Sequence, residues 1–170
     1  AHSNLGPDHI KSVTRQIEEY KVGGLCFFQG TPARQIELVN QYQGLADVPL
    51  LISMDAEWGP AMRFREDAVS FPRQLTLGAI NNNELIYKLG VEVARELKLI
   101  GVNFNFAPVT DINNNFRNPV INDRSFGEDK YNVTAKAYMY MKGMQDQGIL
   151  ACAKHFPGHG DTHVDSHVAL

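Results

Sequence analysis

From Lys154 the chain reads Lys154-His155-Phe156-Pro157-Gly158-His159-Gly160-Asp161 and continues through His163, Asp165, Ser166 and His167 to Leu170. Four of the six histidines in the chain fall in this stretch, with one lysine and two aspartates. Pro157, Gly158 and Gly160 break any regular element there, and an apolar run at 149–153 leads straight in. A buried strand that opens into a reactive loop has this pattern. Charged and imidazole groups are costly to take out of water, so a dense cluster of them at a strand end points to chemistry. The competing reading is a polar surface loop whose histidines are incidental.

Three kinds of chemistry suit these residues. Asp165 and His167 lie two apart, and in an extended loop their side chains share one side. An aspartate that holds one imidazole nitrogen fixes the tautomer and leaves the other nitrogen free to exchange protons with substrate. Lys154 emerges at the strand end with three donors suited to sugar hydroxyls. Its neighbour His155 is expected to point the other way unless the strand bends. The third possibility is a metal: His159, Asp161, His163, Asp165 and His167 alternate at two-residue spacing, and histidine with carboxylate is a common zinc set. Against it, all five come from a single loop.

Further residues gain weight from the elements that carry them. Asp8 follows Gly6-Pro7 as a helix start, with Ile10, Val13, Ile17 and Tyr20 at helical spacing. Residues 25–28 form a short apolar strand closed by Gly30. Thr31-Pro32 is an N-cap followed by proline at the first helical position, opening a helix to about Leu45. A second apolar strand, 50–54, ends in Asp55-Ala56-Glu57. Residues 58–82 are less regular. A third helix is expected at 84–97 with Leu85, Leu89, Val93 and Leu97 on one face, then a strand at 102–106. The Asn- and Pro-rich segment 107–127 reads as a long loop. A fourth helix follows at 129–147, with Val133, Ala137, Met141 and Met144 inward, and the last strand is 149–153.

The order is therefore helix and strand in strict alternation, four of each. Short continuous apolar strands joined by helices imply a parallel sheet covered on both faces. Two α/β architectures fit, a doubly wound open sheet or a (β/α)8 barrel, and both place ligands at the carboxyl ends of the strands. Asp55 and Glu57, the Asn-rich loop, and the Lys154–His155 loop all fall there. Asp55 can accept two sugar hydroxyls. Glu57 can serve as a general acid or base, or bond backbone amides. Arg63 and Arg124 can clamp hydroxyls or support a carboxylate.

Composition narrows the partners. The net charge of −3, without a basic block, argues against a nucleic-acid or anionic-membrane surface. No apolar run approaches the ~20 residues of a membrane helix. Cys26 and Cys152 sit in separate apolar runs and read as buried free thiols. No Gly-rich phosphate fingerprint follows any strand, so a nucleotide site is not expected. A full barrel takes ~250 residues, and about four strands are countable here. The chain therefore reads as an incomplete (β/α)8 TIM-type barrel. Its exposed sheet edges call for a longer chain, a second piece or self-association.

The motif Lys154-His155-Phe156-Pro157-Gly158-His159-Gly160-Asp161, continuing to Asp165-Ser166-His167, resembles the signature of family 3 glycoside hydrolases, in particular their bacterial β-N-acetylglucosaminidase branch. Asp55-Ala56-Glu57-Trp58-Gly59 followed by Arg63 is similar to that family's sugar-binding segment. Phe106-Ala107-Pro108-Val109-Thr110-Asp111-Ile112-Asn113, Asn118-Pro119-Val120-Ile121 and Arg124-Ser125-Phe126-Gly127 resemble its next blocks, in family order.

The resemblance implies that residues 1–170 are part of one (β/α)8 catalytic domain acting by retention on terminal β-linked N-acetylglucosamine, with no cofactor and no metal. It implies that Asp55, Arg63, Arg124, Lys154 and His155 hold the sugar of the departing bond. His167, paired with Asp165, is then the acid/base on a mobile loop, a departure from the usual pair of carboxylates. Trp58 stands where the branch usually carries glycine. The family's nucleophile is an aspartate on a later strand, and none of Asp55, Asp111, Asp161 or Asp165 matches it, so these 170 residues are not expected to turn over alone. The expected partner is an N-acetylglucosamine-containing oligosaccharide, of peptidoglycan or chitin type. The family also contains phosphorolytic enzymes.

Overall fold

The computed structural model describes residues 1–168, for Glu66 the backbone only; the last two residues of the His-rich motif, Ala169 and Leu170, lie outside the described residues. The elements in order are α1 (Pro7–Glu18), β1 (Gly24–Phe27), α2 (Pro32–Leu45), β2 (Leu51–Met54), α3 (Ala61–Phe64), a 3-10 turn (Arg65–Asp67), α4 (Gln74–Gly78), α5 (Asn83–Leu99), β3 (Phe104–Asn105), a second 3-10 turn (Asn122–Arg124), α6 (Lys130–Asp146) and β4 (Leu150–Ala151). The segment read from sequence as irregular, 58–82, holds two short helices.

The four strands form one sheet in the order β1-β2-β3-β4, every pair parallel. A doubly wound sheet reverses its strand order at a switch point; this one does not, and sequential order is what a barrel requires. Pairing continues beyond β3 and β4 through a parallel bridge from Val109 to Lys154, with Thr110 N donating to Lys154 O at 2.7 Å. That extension brings the segment after β3 alongside the segment after β4.

Local signals set the helix starts. Thr31 accepts from Arg34 N at 3.3 Å, and Asp129 accepts from both Tyr131 N and Asn132 N at 2.8 Å. Satisfying these otherwise unpaired N–H groups is what an N-cap residue does. On the outer face α5 and α6 pack closely. Gly90 and Gly143 meet at their crossing, where a Cβ on Gly143 would lie 3.0 Å from Gly90 Cα. This crossing decides which faces are buried. On α5 the buried positions are Ile86, Gly90, Val93, Ala94 and Leu97, so the apolar face lies rotated from the expected one and Leu85 is exposed. On α6, Val133, Ala137 and Met144 are buried as expected, but Met141 is only half-buried, and Lys136 and Tyr140 take core places. Lys136 is satisfied there by Ile80 O at 2.5 Å and Asn83 Oδ1 at 2.9 Å.

The core of Phe27, Tyr42, Ile52, Met54, Val93, Leu97, Tyr140 and Met144 joins the sheet to these helices. Two asparagine side chains, from the segment that carries β3, bond the backbone of β2 and of the turn after it. Asn103 Oδ1 accepts from Ile52 N, and Asn105 brackets Ala56 through its N at 3.0 Å and O at 3.1 Å. Asn105 thereby fixes the turn between Asp55 and Glu57. Cys26 and Cys152 are both free thiols, half-buried rather than fully buried. No helix among the described residues is long and apolar enough to cross a membrane.

Candidate active site

The carboxyl ends of β2 and β4 and the long loop after β3 meet in one charged network. Asp55, just past β2, receives Lys154 Nζ on Oδ1 at 2.8 Å and Arg63 Nη2 on Oδ2 at 2.9 Å. Arg63 also donates from Nε to the Asp55 carbonyl at 3.0 Å, so one arginine holds both backbone and side chain. Phe28, just past β1, lies under the Arg63 guanidinium, which stands 4.9 Å from the ring centre. Each Asp55 oxygen keeps a lone-pair direction free, and a quarter of the side chain is exposed. A hydroxyl-rich ligand can be accepted there.

Glu57 is the buried centre of the network. Arg124 forks onto it, Nη2 to Oε1 at 2.7 Å and Nε to Oε2 at 2.9 Å, while Lys154 Nζ lies 2.7 Å from Oε1. Its carbonyl accepts from Gln74 at 2.6 Å and from the Tyr140 hydroxyl at 3.1 Å. Burial opposes ionisation of Glu57, but the Arg124 hydrogen bonds and the charges of Lys154 and Arg124 outweigh it and hold the carboxyl below its usual range. The same hydrogen bonds, against burial, push the Arg124 guanidinium up. Glu57 therefore bonds side-chain cations rather than backbone amides. With 1% of its side chain exposed it is placed to position the two cations, not to exchange protons with solvent.

His155 turns into the same pocket as Lys154; the peptide joining them is cis. Its Nδ1 lies 2.6 Å from Asp111 Oδ2, and its Nε2 lies 3.3 Å from Arg124 Nη2. A guanidinium only donates, so this arrangement sets Nε2 as acceptor and places the proton on Nδ1, facing Asp111. Asp111 is buried and also accepts from His159 N at 2.7 Å and His155 N at 3.2 Å. Burial pushes its carboxyl up, and these hydrogen bonds more than reverse it, leaving the group below its usual range. Within the motif at 106–113 the sequence assigns Asp111 no role. Its signal is that of a carboxylate in the loop that follows an apolar strand, on the side of the sheet where Asp55 lies.

Five residues expected to hold sugar, Asp55, Arg63, Arg124, Lys154 and His155, are thus brought together. Both arginines support carboxylates. Asp165 and His167 lie apart from this cluster in hydrogen-bond terms. Their segment is a turn rather than an extended run: Asp165 Oδ1 accepts from His167 N at 2.9 Å and lies 2.6 Å from His167 Nδ1, and Val168 N bonds Asp165 O. The turn keeps both side chains on one side, and His167 is largely exposed. Hydrogen bonds from His167 hold the Asp165 carboxyl below its usual range.

The five His and Asp residues weighed as metal ligands do not gather. His159 bonds Thr162 and Ser166, His163 meets Asn115, and His167 meets Asp165. Among the described residues no group of three or more His, Cys, Asp or Glu side chains is placed to hold a metal ion. Trp58 is half-buried with the Arg73 guanidinium stacked 4.4 Å from its ring centre, and Arg73 in turn pairs with Asp123 at 2.8 Å. This strut runs beside the Glu57–Arg124 pair, one residue along on each side.

Sequential parallel strands with a polar pocket at their carboxyl ends define a barrel-type α/β enzyme domain. The chain belongs to glycoside hydrolase family 3: the Glycosyl hydrolase family 3 N terminal domain matches residues 8–170. It is 42% identical over 167 residues to a protein named Beta-hexosaminidase A from Pseudoalteromonas piscicida, covering 91% of this chain and 28% of that one. The structure of a family 3 β-N-acetylglucosaminidase from Paenibacillus superposes with a TM-score of 0.84 at 41% identity, over 91% of this chain and 31% of that one. NagZ from Neisseria gonorrhoeae, solved with N-trifluoroacetyl-D-glucosamine, gives a TM-score of 0.84 at 29% identity, over 100% of this chain and 52% of that one. The chain thus spans about a quarter to a half of the length of these relatives.

Proposed function

We propose that these residues are the sugar-binding part of a single catalytic barrel that removes terminal β-linked N-acetylglucosamine from an oligosaccharide with retention of configuration. The observation that carries the reading is the convergence of Asp55, Arg63, Arg124, Lys154 and His155 on one pocket in a chain related to hexosaminidases. Asp55 accepts hydroxyls of the terminal sugar, and Lys154 donates to them. Arg63, Arg124 and His155 fix the pocket around them. Charge-assisted hydrogen bonds of this kind tighten as the ring distorts towards the transition state.

His167 acts as acid and base. As imidazolium paired with Asp165 it protonates the glycosidic oxygen as that bond breaks. The nucleophile, an aspartate on a later strand of the parent protein, forms the bond to the anomeric carbon. The neutral ring then takes a proton from the water that releases the sugar. Asp111 is closed to a nucleophilic role by its burial, and both oxygens of Asp55 are engaged by cations.

The test is hydrolysis of a chromogenic β-N-acetylglucosaminide by the parent protein, with and without chelator and with and without phosphate. Chelator-resistant, phosphate-independent release of N-acetylglucosamine is expected. Loss on chelation with recovery on adding a divalent metal would replace this reading by a metal-dependent one, and a rate that requires phosphate would make the enzyme a phosphorylase.

A further inference from the structure

The His-rich loop has a pinned base and a loosely held tip. Gly160 is buried against the Ile112 carbonyl, where a Cβ would collide with that oxygen. Asn115 N donates to Gly160 O at 3.2 Å. Asn118, itself buried, donates from Nδ2 to His159 O at 2.6 Å and to Thr162 Oγ1 at 3.1 Å, while its Oδ1 accepts from Val120 N and Ile121 N. One asparagine thus ties the loop base to the segment that leads into Arg124.

The tip is different. Asp165, Ser166, His167 and Val168 form a turn whose hydrogen bonds close on themselves, and Ser166, His167 and Val168 are exposed. Among the described residues, one hydrogen bond joins this turn to the rest of the protein. It runs between His159 Nε2 and Ser166 Oγ, at 2.9 Å. The other nitrogen of His159 is held by the Thr162 hydroxyl at 2.5 Å, and its backbone N–H by Asp111 at 2.7 Å. The His159 ring also stands edge-on to His155, with centroids 6.2 Å apart. It therefore lies between the sugar pocket and the turn that carries His167.

We propose that His159 is a positioning residue that latches the His167 turn beside the sugar pocket through its bond to Ser166. A turn that is rigid within itself but hangs on one bond moves as a unit when that bond breaks. A single hydrogen bond shifts such an equilibrium by about fivefold. The latch rests on the reading of His167 as acid and base, because its purpose is to present that ring to the glycosidic oxygen.

The test uses the parent protein with Ser166→Ala, His159→Leu, their combination, and Ser166→Thr, which keeps the hydroxyl. Amide exchange of residues 164–168 and kcat/KM for an alkyl and a nitrophenyl β-N-acetylglucosaminide are the readouts. Ser166→Ala and His159→Leu are expected to speed exchange about fivefold and to slow the alkyl glycoside by a similar factor. The nitrophenyl glycoside, whose leaving group needs little protonation, should keep its rate. The double variant should be no worse than either single one on the alkyl glycoside, and Ser166→Thr should behave as wild type. Unchanged exchange in Ser166→Ala, or equal losses on both glycosides, would overturn the latch. His167→Ala separates the two layers. Selective slowing of the alkyl glycoside by His167→Ala but not by Ser166→Ala overturns the latch alone. Equal slowing of both glycosides by His167→Ala overturns the acid role on which it stands.

Discussion

Glu57 and Arg124, 67 residues apart in the chain, face each other through two parallel hydrogen bonds of 2.7 and 2.9 Å, with the Glu57 carboxylate closed off from water. Lys154 adds a third contact to the same carboxylate. The pair joins the end of β2 to the long loop before α6, and with Lys154 it fixes two of the cations proposed to hold the sugar.

Removing the Glu57 charge leaves Arg124 and Lys154 without their shared partner. Glu57→Gln keeps the shape but not the charge; Lys154 still has Asp55, but Arg124 loses its carboxylate, and an unpaired buried cation is destabilising by about 3–5 kcal/mol. Arg124 and Lys154 keep part of their surface in water, which puts the expected loss near about 3 kcal/mol, at the low end of that range. Urea unfolding of the parent protein measures it. A loss well under about 1 kcal/mol, the scale of an exposed pair, would mean that the network does not hold the pocket.

The same carboxylates set a pH dependence. Unfolded Glu57 and Asp111 take up protons near about pH 4.3 and 3.9; in the folded chain both do so at lower pH. As pH falls, the unfolded chain therefore binds protons first. The stabilisation is fully present above the unfolded values and is lost as pH drops through the folded ones. Unfolding midpoints measured on descent from neutral pH should fall below about pH 5, and Glu57→Gln should fall less steeply. Parallel curves for the two proteins would contradict the assignment.

Asp111→Asn should act through the ring of His155. With the amide oxygen kept on the His159 N–H, the Asn NH2 faces Nδ1 and favours the other tautomer, in which Nε2–H opposes the Arg124 donor. Loss of a charge-assisted hydrogen bond is worth about 1.5–3 kcal/mol, or roughly tenfold to a hundredfold in kcat/KM. Nitrogen NMR of His155 reports the tautomer directly. A wild-type tautomer together with a large rate loss would show that Asp111 acts by another route.

Asp55→Ala removes both oxygens proposed to accept sugar hydroxyls. Two charge-assisted hydrogen bonds account for a loss of at least about a hundredfold in kcat/KM. Because they tighten towards the transition state, kcat should fall and KM should rise. A change in KM alone would reduce Asp55 to ground-state binding.

Much of the scaffold was legible because its signals are local. Thr31-Pro32 started α2 where the sequence placed it, Asp129 capped α6, and the apolar run before Asp55 became β2. The five sugar-binding candidates converged because each followed a strand end. What was not legible depends on contacts between distant segments. The α5 face is set by where Gly90 meets α6, so Leu85 gave way to Ile86. Lys136 reads as a surface residue until Ile80 O and Asn83 are brought to it. Spacing could show that Glu57 was a carboxylate at a strand end and Asp111 one in the loop after the next strand. It could not show that one would clamp Arg124 and the other would orient His155, because those partners lie 67 and 44 residues away. The two-residue alternation of His and Asp from His159 to His167 suggested a ligand set, but each histidine is taken up by a different neighbour, Thr162 and Ser166, Asn115, or Asp165.

The most direct test of the account is the leaving-group dependence of His167→Ala in the parent protein, across a series of aryl and alkyl β-N-acetylglucosaminides. If His167 is the acid, the variant loses most on alkyl glycosides and least on nitrophenyl ones, by a differential of roughly a hundredfold or more. Equal losses across the series would contradict the acid role and leave Asp165 and His167 as a surface turn beside a sugar pocket.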